Sequence, residues 1–411
     1  MTGRSVYASG MNPTTVAPQA HPNARLEDAV AERFRPFGAT IFAEMSALAV
    51  KHDAVNLGQG FPNFPAPTFI KDAAIEAIRD GRFDQYARMT GAPALSNAVS
   101  RRYRDRGLEF DPDREITVTC GCTEAIPATI LGLVNPGDEV VLIAPFYDSY
   151  PASVAMAGGV ARYVTLKAPD FRLTREDLEA VCSDRTRLIL VNTPHNPTGR
   201  VFDRGELELV AEFAKRHDAI VVSDEVYEEL LFEGEHISMA SLPGMAERTV
   251  TLSSLGKTFS CTGWKIGWVA APEHLSRGVR SAHQFLTFAV ATPFQEAAAV
   301  ALAEGDDYVR ELRARYHRSR DRICAGLERL GFGVHVPQGT YFVLADHSAF
   351  GFETDRAFCM HLAEHARVAA IPPSVFYSRP EDGHALVRFA FCKTDETIDE
   401  ALSRMAVLSR R

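Results

Sequence analysis

From about residue 115 to 270, short β-branched apolar runs alternate with amphipathic helical stretches, and this rhythm constrains the fold more than any other feature of the chain. The strand candidates are Ile116–Thr119, Glu139–Ala144, Ala161–Leu166, Arg187–Asn192, Ala219–Ser223, Thr249–Ser253 and Ile266–Ala270. Helical segments such as Thr174–Cys182 and Asp203–Arg216 lie between several of them. Strands that are apolar on both faces need cover on both sides, so the pattern predicts an α/β fold with a mostly parallel sheet between helix layers. Ligands of such sheets bind beyond the carboxyl ends of the strands, and the loops there should carry the chemistry.

After Pro293 a long helical stretch, about 294–330, leads into a different pattern. Strands Gly333–Val336 and Tyr341–Ala345, a helix near Thr354–Glu364, strand Leu386–Phe391 and a final helix predict a smaller α+β domain, with a cleft between the two. The expected division is 1–54 for an N-terminal arm and part of the small domain, 55–309 for the large domain and 310–411 for the rest of the small one. Residues 1–25 contain several prolines and no apolar period, and read as a flexible or surface-clinging arm.

Lys and Arg number 44 against 53 Asp and Glu, a formal charge of −9. That balance argues against nucleic-acid binding, which needs a clustered basic face. No run approaches the roughly 18–20 apolar residues that cross a bilayer. No apolar stretch follows Arg4, so no secretory signal is expected either. Seven cysteines are too sparse for a disulfide scaffold, and packed, reduced thiols in a cytoplasmic protein are expected. Cys120-Gly-Cys122 lacks a second Cys or His pair at zinc-like spacing, so no metal is expected.

The informative residues fall at strand ends. Asn192-Thr-Pro-His-Asn196-Pro-Thr-Gly199 follows one strand and, alone, would pass for a Pro/Gly turn. Ser223-Asp224-Glu225-Val226-Tyr227 follows the next, where an acidic residue is often only a helix cap. Ser253-Ser254-Leu255-Gly256-Lys257 and then Gly263-Trp264-Lys265 supply lysines that would ordinarily be solvated. Gly121-Cys122-Thr123 ends a strand and opens a helix, whose free N–H groups suit an anion. Arg388 sits inside an apolar strand, a costly place for a guanidinium without a partner.

Together, Asn196, Asp224, Tyr227, Lys257 and Lys265, with gaps of 28, 3, 30 and 8 residues, resemble the pyridoxal-phosphate aminotransferases of fold type I, class I. The resemblance runs from about Phe37 to Val407. Val55-Asn-Leu-Gly-Gln-Gly-Phe-Pro62, Pro145-Phe-Tyr-Asp-Ser-Tyr150, Gly339-Thr-Tyr-Phe342, Ala370-Ile-Pro-Pro-Ser-Val-Phe-Tyr377 and Leu386-Val-Arg-Phe-Ala-Phe-Cys-Lys393 are similar to the kynurenine/glutamine/methionine branch. Phe42-Ala-Glu-Met-Ser-Ala-Leu48 resembles the actinobacterial N-succinyldiaminopimelate aminotransferases of that branch.

The resemblance implies a mostly parallel seven-stranded sheet with a smaller α+β domain, pyridoxal 5'-phosphate as cofactor, and amino transfer from an L-amino acid to a 2-oxo acid by a ping-pong cycle. Lys257 would form the Schiff base with the cofactor aldehyde and then move the Cα proton. Asp224 would keep the pyridine nitrogen protonated. Tyr227 and Asn196 would donate to the ring's phenolate oxygen, and Tyr147 would stack on the ring. Gly121, Cys122, Thr123, Ser254 and Lys265 would hold the phosphate. Tyr86 would reach the phosphate of a neighbouring subunit's cofactor, making the active unit a homodimer. Arg388, with Gly60 and Asn196, would hold the substrate α-carboxylate. Gly60 should permit close approach because it has no side chain.

Aspartate-selective relatives present a second arginine to the substrate, and Phe285-Leu-Thr-Phe-Ala-Val-Ala-Thr-Pro293 contains none. Apolar, amide, thioether or aromatic substrate side chains are therefore expected, with Phe42, Tyr147, Phe288 and Tyr341 as aromatic walls. The branch's histidine near Ala291 is absent, which weakens the case for kynurenine. Alternative activities are N-succinyl-LL-diaminopimelate amino transfer and β-elimination from cysteine S-conjugates. A transcription regulator with an aminotransferase-like sensor is a third class. The roughly 36 residues ahead of the motifs lack the helical period and basic face it would need.

Overall fold

The computed structural model describes residues 29–38 and 40–408, so the expected arm, residues 1–25, lies outside the described residues. Strand β1 (Val55–Asn56) is followed by β2 (Ile116–Cys120), β3 (Glu139–Ala144), β4 (Val160–Thr165) and β5 (Thr186–Asn192). Then come β6 (Ile220–Asp224), β7 (Thr249–Ser254) and β8 (Ile266–Ala270). Strands β2 to β8 form one sheet in the order β2-β8-β7-β6-β5-β3-β4. Every neighbouring pair is parallel except those of β8, which runs against both β2 and β7. β3, β6, β7 and β8 are buried along their whole length. That is why β3 and β8 read as largely apolar runs rather than as alternating ones, while β6 and β7 bury Ser and Thr hydroxyls as well.

The C-terminal region adds β9 (Gly333–His335), β10 (Phe342–Asp346), β11 (Val368–Ala369) and β12 (Leu386–Ala390). β12, β10 and β9 form a three-stranded antiparallel sheet, whereas β11 pairs in parallel with β1. Helices Asp306–Leu330, Asp355–His361 and Asp395–Met405 complete this α+β unit. One apolar cluster joins the two sheets: Leu142, Val222 and Leu252 belong to the same buried core as Tyr316, Phe342 and Phe389. Among the described residues no helix is long and apolar enough to cross a membrane.

Two helices differ from the expectation. The stretch 294–330 is not one helix but two, Thr292–Glu304 and Asp306–Leu330, broken at Gly305. A Cβ at Gly305 would lie 2.2 Å from the Phe259 ring, so the chain bends where that ring packs. Glycine's poor helix propensity makes the break cheap. The expected helix Thr174–Cys182 closes after Arg175–Glu179, started by a capping box between Thr174 and Asp177.

For the site, the important result is register. Asn192 at the end of β5 lies opposite Asp224 at the end of β6, which lies opposite Leu252 two residues before the end of β7. Neighbouring parallel strands therefore deliver Asn192, Asp224 and Ser254 to one edge, roughly 5 Å apart per strand.

Candidate active site

A cavity of about 250 Å³ opens at that edge, between the carboxyl ends of the large sheet and β10 and β12 of the small one. Asp224 is buried at its floor, 4% exposed. Tyr150 donates its hydroxyl to Oδ2 at 2.7 Å, and the Val226 N–H donates to Oδ1 at 3.3 Å. The Cys122 thiol lies 3.6 Å from Oδ1. Burial pushes the Asp224 pKa up, against the pull of the Tyr150 bond. Among the described residues no cation pairs with this carboxylate.

Lys257 stands on the single-turn helix Leu255–Thr258 that follows β7. Its Nζ has no hydrogen-bond partner among the described residues and sits 5.8 Å from the Tyr227 ring centre and 5.5 Å from that of Tyr341. Enclosure by the pocket walls lowers its pKa to about 8. The positive charges of Lys265 and Arg388 act in the same direction, while Cys392 and Asp224 oppose them. An amine with that pKa is roughly one-tenth unprotonated near pH 7, far more than an ordinary lysine, which brings the nucleophilic and proton-accepting form within reach.

On one side of Lys257 is an anion cradle. Gly121, at φ 67°, caps the helix Cys122–Leu133 without any side-chain cap bond. The N–H groups of Cys122 and Thr123 have no acceptor among the described residues. Lys265 Nζ donates to Thr123 Oγ1 at 2.9 Å, and Ser254 and Lys265 both line the cavity. Gly267 lets β8 pass close behind, since a Cβ there would lie 2.6 Å from the Gly121 carbonyl carbon. Unpaired amides at a helix start, two hydroxyls and an ammonium are a donor set for phosphate.

Arg388 closes the opposite side, 1% exposed on β12. Nη2 donates to the Gly58 carbonyl at 3.0 Å and Nη1 to Asn196 Oδ1 at 3.2 Å. Nε is buried without a partner. The guanidinium carbon lies 4.1 Å from the Phe342 ring centre, 5.2 Å from that of Phe376 and 5.3 Å from that of Phe42. Burial lowers its pKa to about 10. No Asp or Glu forms an ion pair with it among the described residues. A guanidinium so placed has the charge and an open donor to take a carboxylate brought from outside. Because a guanidinium only donates, the Asn196 amide must present Oδ1 to it, which leaves Nδ2 free to donate into the cavity.

Of the residues singled out in the sequence, Phe42, Gly60, Gly121, Cys122, Thr123, Tyr147, Asn196, Asp224, Tyr227, Ser254, Lys257, Lys265 and Arg388 line this one cavity. Tyr341 does not line it; it stands behind, its hydroxyl 2.6 Å from the Gly60 carbonyl. Tyr86 is 85% exposed, and its ring meets Phe288 edge-on at 5.4 Å, so neither forms a wall within the single chain. Gly60 also has a packing reason to lack a side chain: a Cβ would strike the Phe342 ring at 2.7 Å. Tyr150, Asn192, Gln59 and Phe342 also line the cavity and were not among the expected site residues. Tyr150 had a signal, standing one helical turn after Tyr147. Phe342 ended a motif already noted, but its place in the wall depends on a contact with a loop far away in sequence.

The chain matches known proteins over most of its length. The family model for aminotransferase class I and II matches residues 52–405. A probable N-succinyldiaminopimelate aminotransferase of Mycobacterium tuberculosis is 47% identical over 393 residues, covering 92% of this chain and 98% of that protein. The methionine aminotransferase of Escherichia coli is 40% identical over 373 residues, covering 90% and 96%. The solved structure of N-succinyldiaminopimelate aminotransferase from Mycobacterium tuberculosis superposes with a TM-score of 0.90, at 47% identity, over 93% of this chain and 100% of that one. The fold, the strand-end constellation and these matches lead to one conclusion: the chain belongs to the class I and II aminotransferases.

Proposed function

We propose that this aminotransferase binds pyridoxal 5'-phosphate, on which its family depends, in the cavity around Lys257, and that its donor is an L-amino acid with an uncharged side chain. When bound, the cofactor supplies an aldehyde carbon that carries the amino group and a cationic ring that draws electrons from the substrate Cα. Asp224, a buried carboxylate without a cation, holds the ring nitrogen in its protonated form. Tyr227 and Asn196 Nδ2 donate to the ring oxygen, and Tyr147 flanks the ring. The amides of Cys122 and Thr123, with Gly121, Ser254 and Lys265, hold the phosphate. Lys257 Nζ would take the proton from the substrate Cα and, as the ammonium, hold it for return within the same site. Arg388 holds the α-carboxylate of donor and acceptor in turn, so both halves of the cycle share one pocket. Tyr86, exposed beside Phe288, reaches the phosphate site of a second subunit in a homodimer.

The observation that carries the substrate class is the cation count. Among the described residues lining the cavity, the cations are Arg388, Lys257 and Lys265, and each already has a role. The remaining wall includes Phe42, Phe342 and Tyr147. A second substrate carboxylate would be buried there without a partner, which is costly. Apolar, amide, thioether and aromatic side chains fit.

A second reading is favoured by the 47% identity to the probable N-succinyldiaminopimelate aminotransferase. The succinyl arm would then extend beyond Phe42 toward the neighbouring groove of about 380 Å³ that Glu44, Asp148 and Arg356 help to line. A kcat/KM panel tests both, with methionine, glutamine, phenylalanine, aspartate, and diaminopimelate with and without its succinyl group. Aspartate as the best donor would overturn the uncharged-pocket reading. A loss of about 100-fold or more on removing the succinyl group would establish the second one. Release of pyruvate and ammonia from a cysteine S-conjugate would add β-elimination to either.

A further inference from the structure

Lys393 is a buried lysine, 3% exposed, that does not line the cavity and has no acidic partner among the described residues. Its Nζ donates to two backbone carbonyls, Gln59 at 3.0 Å and Phe61 at 2.7 Å, and lies 4.9 Å from the Phe61 ring centre. These two carbonyls flank Gly60. The rest of the loop is held in the same way. The Leu57 carbonyl accepts from the Ala390 N–H at 2.6 Å, the Gly58 carbonyl from Arg388 at 3.0 Å, and the Gly60 carbonyl from the Tyr341 hydroxyl at 2.6 Å. Every carbonyl from Leu57 to Phe61 is therefore engaged, by donors from β12 and its continuation or from Tyr341.

The amides of the loop divide differently. Those of Gly58 and Gln59 donate to Asn56 Oδ1, at 2.9 and 3.1 Å. The Gly60 N–H has no acceptor among the described residues, and Gly60 lines the cavity. A loop with its carbonyl ends tied down and the Gly60 amide open to the cavity presents positive rather than negative dipole ends to an anion.

We propose that Lys393 is a positioning residue for the substrate α-carboxylate. By holding the carbonyls on either side of Gly60, it keeps the Gly60 amide open to the cavity and aligned with Arg388. This inference rests on the proposal that the carboxylate docks at Arg388. The pairing is built from one strand: Arg388 on β12 and Lys393 just beyond its end hold successive carbonyls of one loop, so guanidinium and amide keep a common frame. Without the ammonium, two part-buried carbonyls lose their donor, and the loop gains a reason to rotate them toward other partners.

The test uses the cofactor-loaded enzyme with L-methionine as donor and 4-(methylsulfanyl)butanoate, a carboxylate with no amine, as competitive inhibitor. Lys393→Met should raise both KM and the inhibition constant about tenfold or more, the scale of a lost charge-assisted hydrogen bond, while kcat changes less than about threefold. Lys393→Arg, which retains two donors, should recover most of that affinity. Where Lys393→Met does not fold, Lys393→Gln serves, with a smaller rise and the same split between KM and kcat. An unchanged inhibition constant, or a fall in kcat alone, overturns the proposal. Arg388→Gln separates the two levels. If it too leaves carboxylate binding unchanged, the docking assignment fails and the inference with it. If it weakens binding while Lys393→Met does not, only the role of Lys393 falls.

Discussion

Asp224 and Glu225 are consecutive carboxylates at the end of β6, 4% and 0% exposed, and their surroundings push them in opposite directions. Asp224 faces the cavity, with one phenol, one amide and one thiol for company, and burial leaves its pKa raised. Glu225 points the other way. Its Oε1 accepts from the hydroxyls of Ser223 at 2.7 Å and Ser238 at 2.9 Å and from the Met239 N–H at 3.3 Å. Its Oε2 meets His236 Nε2 at 2.8 Å. Burial would raise the Glu225 pKa, but the His236 charge and these donors more than offset it, and the net shift is downward. Beyond it Glu228 takes the Ser253 hydroxyl at 2.8 Å, and Arg106 bridges Glu228 and Glu229.

The difference teaches how to tell a site from a structural knot when both are buried and charged. Glu225, Glu228 and His236 lie close enough to suggest a metal, yet Glu228 is already paired with Arg106 and Glu225 with His236. On the Asp224 side the valences are open: Lys257 Nζ, Arg388 Nε, the Asn196 amide nitrogen and the first amides of the helix Cys122–Leu133. Open valences that converge on one cavity specify a ligand by its charges.

The sharpest break of this comparison is Lys257→Ala. With no amine at that position, turnover of the cofactor-loaded protein should fall by at least about 10⁴-fold, since both the nucleophile and the proton carrier are gone. Steady-state assay of the purified variant checks it, and activity within tenfold of the parent would remove Lys257 from the centre of the site.

Next come the two carboxylates themselves. Glu225→Gln leaves His236 without its counter-charge and should destabilise the cofactor-free chain by about 3–5 kcal/mol, the usual result of breaking a buried pair. Asp224→Asn should not destabilise it at neutral pH, because a carboxylate whose pKa is raised by folding opposes folding above its ordinary value of 3.8. That variant should instead lose about 10²-fold or more in kcat, as expected when a charge placed for the reaction is removed. Urea denaturation of the cofactor-free variants and kcat of the loaded ones form the test. Equal stability losses would mean that Asp224 is as much a structural residue as its neighbour.

The strand-end constellation was legible in the sequence because its parts are local. Each is a β-branched run followed by a short loop, and the alternation of side chains along a strand already sends Asp224 and Glu225 to different sides. The seven strands were legible for the same reason, with β4 and β6 each displaced by one residue and the other bounds within one. What escaped depends on distant contacts. The Phe259 ring that breaks the helix at Gly305, the Phe342 ring over Gly60 and the Tyr150 hydroxyl on Asp224 each join segments that no periodicity connects. Tyr86 and Phe288 were legible as aromatics, but both are exposed in the single chain, and the second subunit proposed for them leaves no mark in one sequence.

The smallest expected effect concerns pH. The pKa of Glu225 is lowered from 4.5 on folding, so its contribution to stability is present above 4.5 and is lost as pH falls through the folded value. The pKa of His236 is raised from 6.5, because Glu225 outweighs burial, so its contribution is present below 6.5 and is lost as pH rises through the folded value. The pair therefore supports the fold most between these two ordinary values. Lys257 runs the other way: its lowered pKa, about 8, opposes folding at acid pH and is relieved as pH rises toward 10.5. A raw stability curve would mix the two, so the informative quantity is the difference between the parent and His236→Asn. That difference should shrink by about 1–2 kcal/mol between about pH 6 and about pH 9, the scale of one charge-assisted hydrogen bond. Denaturation of both proteins at the two pH values measures it. A difference that stays constant would mean His236 is neutral in the fold, and that the hydroxyls and amide around Glu225, rather than a charge, hold it ionised.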